Sequence, residues 1–386
     1  MESPLNVPPP AWMSEELALF DDAVGRFMAG ELEPLADQWE EAGIVERETW
    51  LRCGEQGLLL ASAPEAYGGG DGSFAHEAVI IEQSGRRGLD AINLCVQSAI
   101  IAPYITQYGS EAQKQAWLPA LARGEIIASI AMTEPGAGSD LQGMRATYRA
   151  DGDDYVINGQ KIFITNGILA DLVLVACKAA GSDGAKGISL IFVEPAKVEG
   201  FRRGRKLDKI GLRGQDTAEL FFDEVRVPRA NLLGVSEGQG FYQMMDKLAQ
   251  ERLVVALQSM AMIERALALT LEHVRERKAF GKRVLDFQAV QFQLAEWKTQ
   301  ATVAKVFCHH CVEQHLQARL DATTASMAKY WLSELQGQIV DGCLQLFGGY
   351  GYMNEYPIAR MYRDARVSRI YGGTNEIMKL LIARSL

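Results

Sequence analysis

Ala131-Met132-Thr133-Glu134-Pro135-Gly136-Ala137-Gly138-Ser139-Asp140 is the stretch whose residue types most directly suggest chemistry. The apolar run 126–132 leading into it reads as a buried strand that stops abruptly at Thr133. Pro135 fixes one φ and removes a donor. Gly136 and Gly138 permit backbone conformations closed to other residues. Such a loop offers bare amides and small side chains, against which a flat or anionic ligand can sit. Turn chemistry alone would also explain the glycines, so three other stretches carry weight. In residues 158–167, Phe163 and Thr165 stand two apart on a predicted strand and therefore share a face. An aromatic there can stack on a planar ring while the hydroxyl meets its polar edge, although a half-buried strand would look the same. Arg275, Arg277, Lys278, Lys282 and Arg283 form a basic island around Phe280-Gly281. It reads either as a solvated helix end or as a diphosphate clamp. Residues 345–352 and 371–376 are glycine-rich breaks in helical regions, where backbone can approach a ligand closely.

The elements that must position these residues follow from pattern. Ser14-Glu15-Glu16-Leu17 reads as a capped helix start, and helical periodicity continues with Leu17, Phe20, Val24 and Phe27. A loop at 64–72 interrupts it. Helices are predicted over 74–86, 91–108 and 111–122. From about Glu125 the character changes to short strands, at 126–132, 155–157, 161–165, 172–177, 188–193 and 220–227. Turns are read between them, including one at Asn158-Gly159. Helices return over 241–276, 287–315, 322–347 and 355–384, enough for a four-helix bundle. The predicted fold class is α+β: an N-terminal helical domain (1–124), a middle β-domain (125–236) and a C-terminal helical bundle (237–386). No βαβ alternation and no GxGxxG after a strand is seen, which argues against a doubly wound nucleotide-binding sheet.

A length of 386 residues suits two or three domains, and 48% apolar content suits sizeable cores. A net charge of -10 disfavours nucleic acid and anionic membrane as partners. By the sequence pattern, no apolar run reaches membrane-spanning length. The start, MESPLNVPPP, lacks signal- and transit-peptide character, so the expectation is a soluble, cytoplasmic protein, with a trimmed organellar form left open. Six scattered cysteines fit a reducing compartment. Cys308-His309-His310-Cys311 invites a metal reading, but it lies in a helical pattern with no second ligand pair nearby, and no metal is expected.

The motifs TEPGAGSD, ITNG, RKAFGK, GGYG and GGTNE, in this order and at these separations, strongly resemble the acyl-CoA dehydrogenase family over Ser14 to Arg384. The resemblance implies FAD, held between the β-domain and the bundle and completed by a neighbouring subunit of a homotetramer. By motif position, Ile130, Met132, Thr133, Gly138 and Ser139 resemble flavin contacts, with Ser139 also facing the CoA arm. Phe163, Ile164 and Thr165 resemble the strand beside the isoalloxazine. Many relatives have Trp where Phe163 stands. Arg277, Phe280 and Gln288 resemble the partner's contacts to the diphosphate and adenosine. Gln345, Gly348 and Gly349 resemble a glycine-rich clamp. Thr374, Asn375 and Glu376 resemble nucleotide contacts. Tyr242, Gln250, Arg252, Gly372 and Gly373 fall at substrate-side positions, and Ile92, Val96 and Ile100, read as one helix face, would line the tail pocket.

The resemblance also implies the reaction. A carboxylate removes the α-proton of an acyl-CoA thioester, the β-hydrogen leaves as hydride to flavin, and a trans-2-enoyl-CoA results. The thioester oxygen is polarised by hydrogen bonds, here from the Gly372 N–H. Many relatives carry the base at the position of Gly372, which cannot act. A minority, similar to isovaleryl-CoA and long-chain acyl-CoA dehydrogenases, carry it in a Glu-Arg pair on an earlier helix, matching Glu251-Arg252 here. Past Glu251, Val255, Ser259 and Met262 continue one helix face, all small or apolar. A lone acid heading such a face has the surroundings a raised-pKa base needs. The expectation is a β-oxidation-type long-chain enzyme that passes electrons to an electron-transfer flavoprotein. A branched-chain (isovaleryl-type) dehydrogenase and a flavin oxidase or monooxygenase on the same fold are the alternatives.

Overall fold

The structure is a computed structural model that describes residues 3–386. Helix α1 (Glu15–Phe27) starts at Ser14, whose hydroxyl accepts from the Leu17 N–H, a cap worth about 1 kcal/mol. Helices α2 (Ala36–Ala42), α3 (Arg47–Glu55), α4 (Phe74–Arg87), α5 (Ala102–Tyr108) and α6 (Glu111–Ala122) follow. Ser110 and Gln113 exchange side-chain bonds with each other's backbone at the start of α6, a capping box.

The predicted helix over 91–108 is not continuous. Residues 91–93 form a turn, with Asn93 at φ 43°. Val96–Ile101 then winds as a π-helix before α5. Within the widened turn, fully buried Gln97 donates to Leu121 O at 2.9 Å and accepts from the Ala128 N–H at 3.0 Å. This one amide ties the helical region to the first strand.

The sheet contains β1 (Ala128–Ala131), β2 (Thr147–Asp151), β3 (Asp154–Thr165), β4 (Leu172–Ala179), β5 (Ile188–Val193), β6 (Phe201–Lys206) and β7 (Thr217–Pro228). Its order is β1-β4-β2-β3-β7-β6, with β5 on the other edge of β4. β4 runs parallel to β1 and β2, and the remaining pairs are antiparallel. Asn158-Gly159 is not a turn, as predicted, but a bulge inside β3. Gly159 sits at φ 144°, and a Cβ there would lie 2.7 Å from Ala146. β2 and β6 carry mostly polar residues and show no apolar alternation. β6 is a basic edge strand, as edges exposed to solvent tend to be.

The bundle consists of α7 (Gly240–Glu276), α8 (Gln288–Leu316) and α9 (Ala322–Phe347), with α10 (Pro357–Ala365) and α11 (Asn375–Ala383) replacing the single last helix expected from the sequence. The hairpin β8 (Lys278–Ala279) and β9 (Lys282–Arg283) links α7 to α8. Contrary to the sequence expectation, α7 is long and apolar enough to cross a membrane. Yet 83% of its most apolar window is buried inside the protein, as befits a core helix. It packs against α4, α8 and α9. Gly240, at its start, comes so close to Ser189 of β5 that a Cβ would lie 2.7 Å from its backbone. Cys308 and Cys311 are buried and reduced on α8, and burial pushes both thiols up.

Candidate active site

Glu251 lies three turns into α7 and is half-buried. One of its oxygens, Oε1, accepts from the Tyr104 hydroxyl of α5 at 2.8 Å. Tyr104 has no exposed surface. Burial pushes the Glu251 carboxyl above the usual range. The Tyr104 bond, Arg252 and Lys247 pull it only part of the way back. Burial and the neighbouring carboxylate push the Tyr104 phenol well up, so it stays a donor. Sequence reading missed Tyr104, because nothing local marks a tyrosine 147 residues away as a partner of Glu251.

The residues flanking Glu251 face elsewhere. Gln250 donates to Ala99 O at 2.7 Å, pinning α7 to the π-helix. Arg252 is buried against α9 and donates to Ser326 Oγ at 3.2 Å. Both act here as supports of α7, not as groups lining an open site. Tyr242, half exposed in the first turn of α7, is free to meet a ligand. One turn beyond Glu251, Val255 meets the break between α10 and α11. A Cβ on Gly372 would lie 3.3 Å from Val255 Cγ2. Gly372 and Gly373 sit at φ 65° and 89°, the left-handed region that favours glycine. The structure thus brings Glu251, Val255 and Gly372 together.

The rest of the break is anchored from below. Thr374 caps α11. Asn375, expected at the nucleotide, is buried instead. Its amide donates to Ser333 Oγ at 3.0 Å and Glu334 Oε1 at 2.9 Å, and its Oδ1 accepts from Lys329 Nζ at 2.9 Å. Lys329 was a second residue missed in the sequence. Glu376 is exposed, and a backbone N–H at the start of α11 holds its carboxyl below the usual range. That makes it a poor base at neutral pH. The tail-lining expectation also needs correction. Ile92 sits in the turn before the π-helix, and it and Val96 are buried in the core of the helical region. They do not share an α-helical face with half-buried Ile100.

The loop after β1 closes on itself through paired Glu134 and Ala137 backbone bonds. Lys161, fully buried, bonds Glu134 at 2.8 Å and Met132 O at 3.0 Å, which braces the loop. Gly136 and Gly138 do not take a positive φ, contrary to the sequence expectation. A Cβ on either would meet nothing within 4 Å. Their use is therefore to leave a bare, open backbone beside exposed Ser139. Ile130, Met132 and Thr133 are half-buried on the approach to it. Phe163 is 64% exposed at φ 61°, an aromatic ring held open to solvent on a strained backbone. Thr165 is half-buried on the same strand, and Ile164 between them is buried. A cavity of about 840 Å³ borders Pro135, Gly136, Arg145 and Arg202, but touches neither Glu251 nor Gly372.

Arg277, Gln345, Gly348 and Gly349 meet around a cleft of about 620 Å³, with the Arg277 guanidinium 5.6 Å from the centre of the Tyr350 ring. No residue of the sheet lines that cleft. Phe280, at the tip of the β8–β9 hairpin, is 95% exposed at φ 51°. Gln288 is exposed at the start of α8. In one chain, then, the flavin-type residues form two separate open surfaces.

Models of the acyl-CoA dehydrogenase N-terminal, middle and C-terminal domains match residues 14–125, 129–225 and 238–386. The chain belongs to the acyl-CoA dehydrogenase family. The mitochondrial long-chain specific acyl-CoA dehydrogenase of Sus scrofa is 48% identical over 97% of this chain and 87% of that protein. The crystal structure of an acyl-CoA dehydrogenase from Geobacillus kaustophilus superposes with a TM-score of 0.96 at 48% identity, covering 98% of this chain and 99% of that one. A glutaryl-CoA dehydrogenase from Mycobacterium smegmatis, solved in complex with FADH2, superposes with a TM-score of 0.90 at 26% identity, covering 96% and 94%. As a member of this family, the protein is an FAD-dependent oxidoreductase. The residues present fit FAD: open glycine backbone at Gly136 and Gly138, an outward ring at Phe163, and an arginine in a cleft that Gly348 and Gly349 border with bare backbone.

Proposed function

We propose that this acyl-CoA dehydrogenase oxidises long-chain acyl-CoA to trans-2-enoyl-CoA with Glu251 as the base. The observation that carries the reading is a half-buried carboxylate of raised pKa, hydrogen-bonded to a buried tyrosine and one helical turn from Val255, which meets the left-handed Gly372. Glu251 would take the α-proton, while the Gly372 N–H would polarise the thioester oxygen as negative charge develops on it. The electron pair of the broken α C–H bond forms the new C=C bond, and bound FAD would supply the acceptor for the two electrons of the β C–H bond, which leave as hydride. Tyr104 holds the carboxylate in place, and the apolar face at Val255 and Met262 excludes water. Ile130, Met132, Thr133, Gly138, Ser139, Phe163 and Thr165 would hold one end of FAD. Arg277, Phe280, Gln345, Gly348 and Gly349 of a second copy would hold the other, which accounts for two open surfaces in one chain. The 48% identity with a long-chain enzyme supports the chain-length assignment, and an electron-transfer flavoprotein is the proposed acceptor.

Anaerobic mixing of the holoenzyme with a panel of short to long, straight and branched acyl-CoAs tests this. Long straight chains should bleach the flavin fastest, and the reduced enzyme should reoxidise slowly in air and rapidly with electron-transfer flavoprotein. Fastest bleaching by a branched acyl-CoA would assign the branched-chain reaction instead. Peroxide formation at the turnover rate would assign an oxidase. No bleaching by any acyl-CoA would overturn the reading.

A further inference from the structure

Lys329 of α9 is fully buried, and its Nζ donates to two neutral oxygens, Gly373 O at 2.7 Å and Asn375 Oδ1 at 2.9 Å. Taking an ammonium out of water costs several kcal/mol unless something compensates. A second buried cation, Arg252 on α7, aggravates that cost, and Glu334 on α9 and Glu376 on α11 oppose it. The lysine is accordingly pushed down to about 8, first by burial and then by Arg252. A methionine of similar length would fill the same space without that penalty, but would leave Gly373 O without its donor. What the lysine does hold is the carbonyl of Gly373 and, through Asn375, the first turn of α11. Both lie directly after Gly372, in a turn whose two glycines are left-handed and whose other side rests on Val255.

We propose that Lys329 is a positioning residue for the dehydrogenation: by gripping Gly373 O and Asn375 it fixes the turn that aims the Gly372 N–H at the thioester oxygen. This rests on the reaction proposed above. A loop free to rotate about Gly373 would leave that N–H misdirected, and the loss would appear only with ligands that present an oxygen to it.

The test compares two unreactive ligands on wild-type holoenzyme and Lys329→Met. One is an S-alkyl-CoA thioether, which has no carbonyl. The other is a 3-ketoacyl-CoA of the same chain length, whose thioester oxygen needs the donor. The variant should bind the thioether within about twofold of wild type and lose on the order of tenfold in affinity for the 3-ketoacyl-CoA, the scale of one hydrogen bond to a charged group. Flavin reduction by a good acyl-CoA should slow by a comparable factor. Equal affinities for both ligands in variant and wild type, or an equal loss for both, would overturn the proposal. Should Lys329→Met fail to fold, Asn375→Ala removes the second grip, and the same selective loss is expected at smaller size. An unchanged ratio there would overturn the proposal too. Failure of the wild type to be reduced by any acyl-CoA would instead sink the reaction itself, a separate result.

Discussion

The base end and the cofactor end of this site are built to different degrees of completion. At the base end one chain supplies everything: Glu251 from α7, buried Tyr104 from α5, Val255 beneath, and Gly372 from the break before α11. Part of the Glu251 surface is already covered there, and burial shifts the carboxyl up before any ligand arrives. At the cofactor end Phe163 and Phe280 stand 64% and 95% exposed, both on left-handed backbone, and Arg277 overlooks an open cleft. Burying one such ring is worth about 1.5–3 kcal/mol. On the function proposed above, the cofactor end stands to gain its order from ligand and partner, while the base end has its order from folding. A base must hold its pKa in the free enzyme, whereas a nucleotide site can be assembled by the nucleotide.

The largest expected effect breaks the base end alone. Glu251→Gln is nearly isosteric and should keep fold, flavin and substrate binding. It should slow flavin reduction by more than the ~10²–10⁴-fold usual for one general base, since position 372 is glycine and offers no second carboxylate. Adding Gly372→Glu should restore part of the lost rate. The strain of a side chain at φ 65°, with its Cβ 3.3 Å from Val255 Cγ2, limits the recovery and should cost about 1–2 kcal/mol of stability. Rapid-mixing spectrophotometry and a thermal melt read the two effects. Full recovery without loss of stability would mean that Gly372 does not sit as described.

Arg277→Ala should break the cofactor end and leave the base end whole. Losing one charge-assisted contact of about 1.5–3 kcal/mol predicts a drop in FAD affinity on the order of ten- to a hundredfold. Gel filtration at low concentration should show looser assembly. Full flavin occupancy after dilution would count against a clamp at this residue.

Much of this division was legible in sequence, and what was hidden has physical reasons. The glycine loops, the Glu-Arg pair and the Ser14 and Ser110 caps are local signals, and the elements at 188–193 and 322–347 appear where periodicity places them. Strands β2 and β6 were invisible because TYRAD and FRRGRK carry no apolar alternation. The bulge at Gly159 read as a turn because Asn-Gly usually is one. The π-helix read as an α-helix, which put Ile92 in line with Val96 and Ile100. Tyr104 and Lys329 were missed because their partners, Glu251 and Asn375, lie 147 and 46 residues away.

The smallest expected effect sharpens the base end. Glu251 must be deprotonated to act, so flavin reduction should rise with pH through a midpoint above the ordinary carboxylate range. The Tyr104 hydroxyl favours the charged form, so Tyr104→Phe should move that midpoint up, by about one to two pH units for a bond of about 1.5–3 kcal/mol. At pH values above the new midpoint the rate should approach wild type. A midpoint that stays put or falls would remove Tyr104 from the account.

Whether Glu251 is the base can be measured without any electron transfer. A 3-thiaacyl-CoA carries sulfur at the β-position, so it cannot give up a β-hydride, yet its α-protons remain acidic. In D2O the wild-type holoenzyme should exchange those α-protons, read by mass spectrometry, and Glu251→Gln should exchange them no faster than buffer. Exchange by Glu251→Gln at the wild-type rate would contradict the assignment.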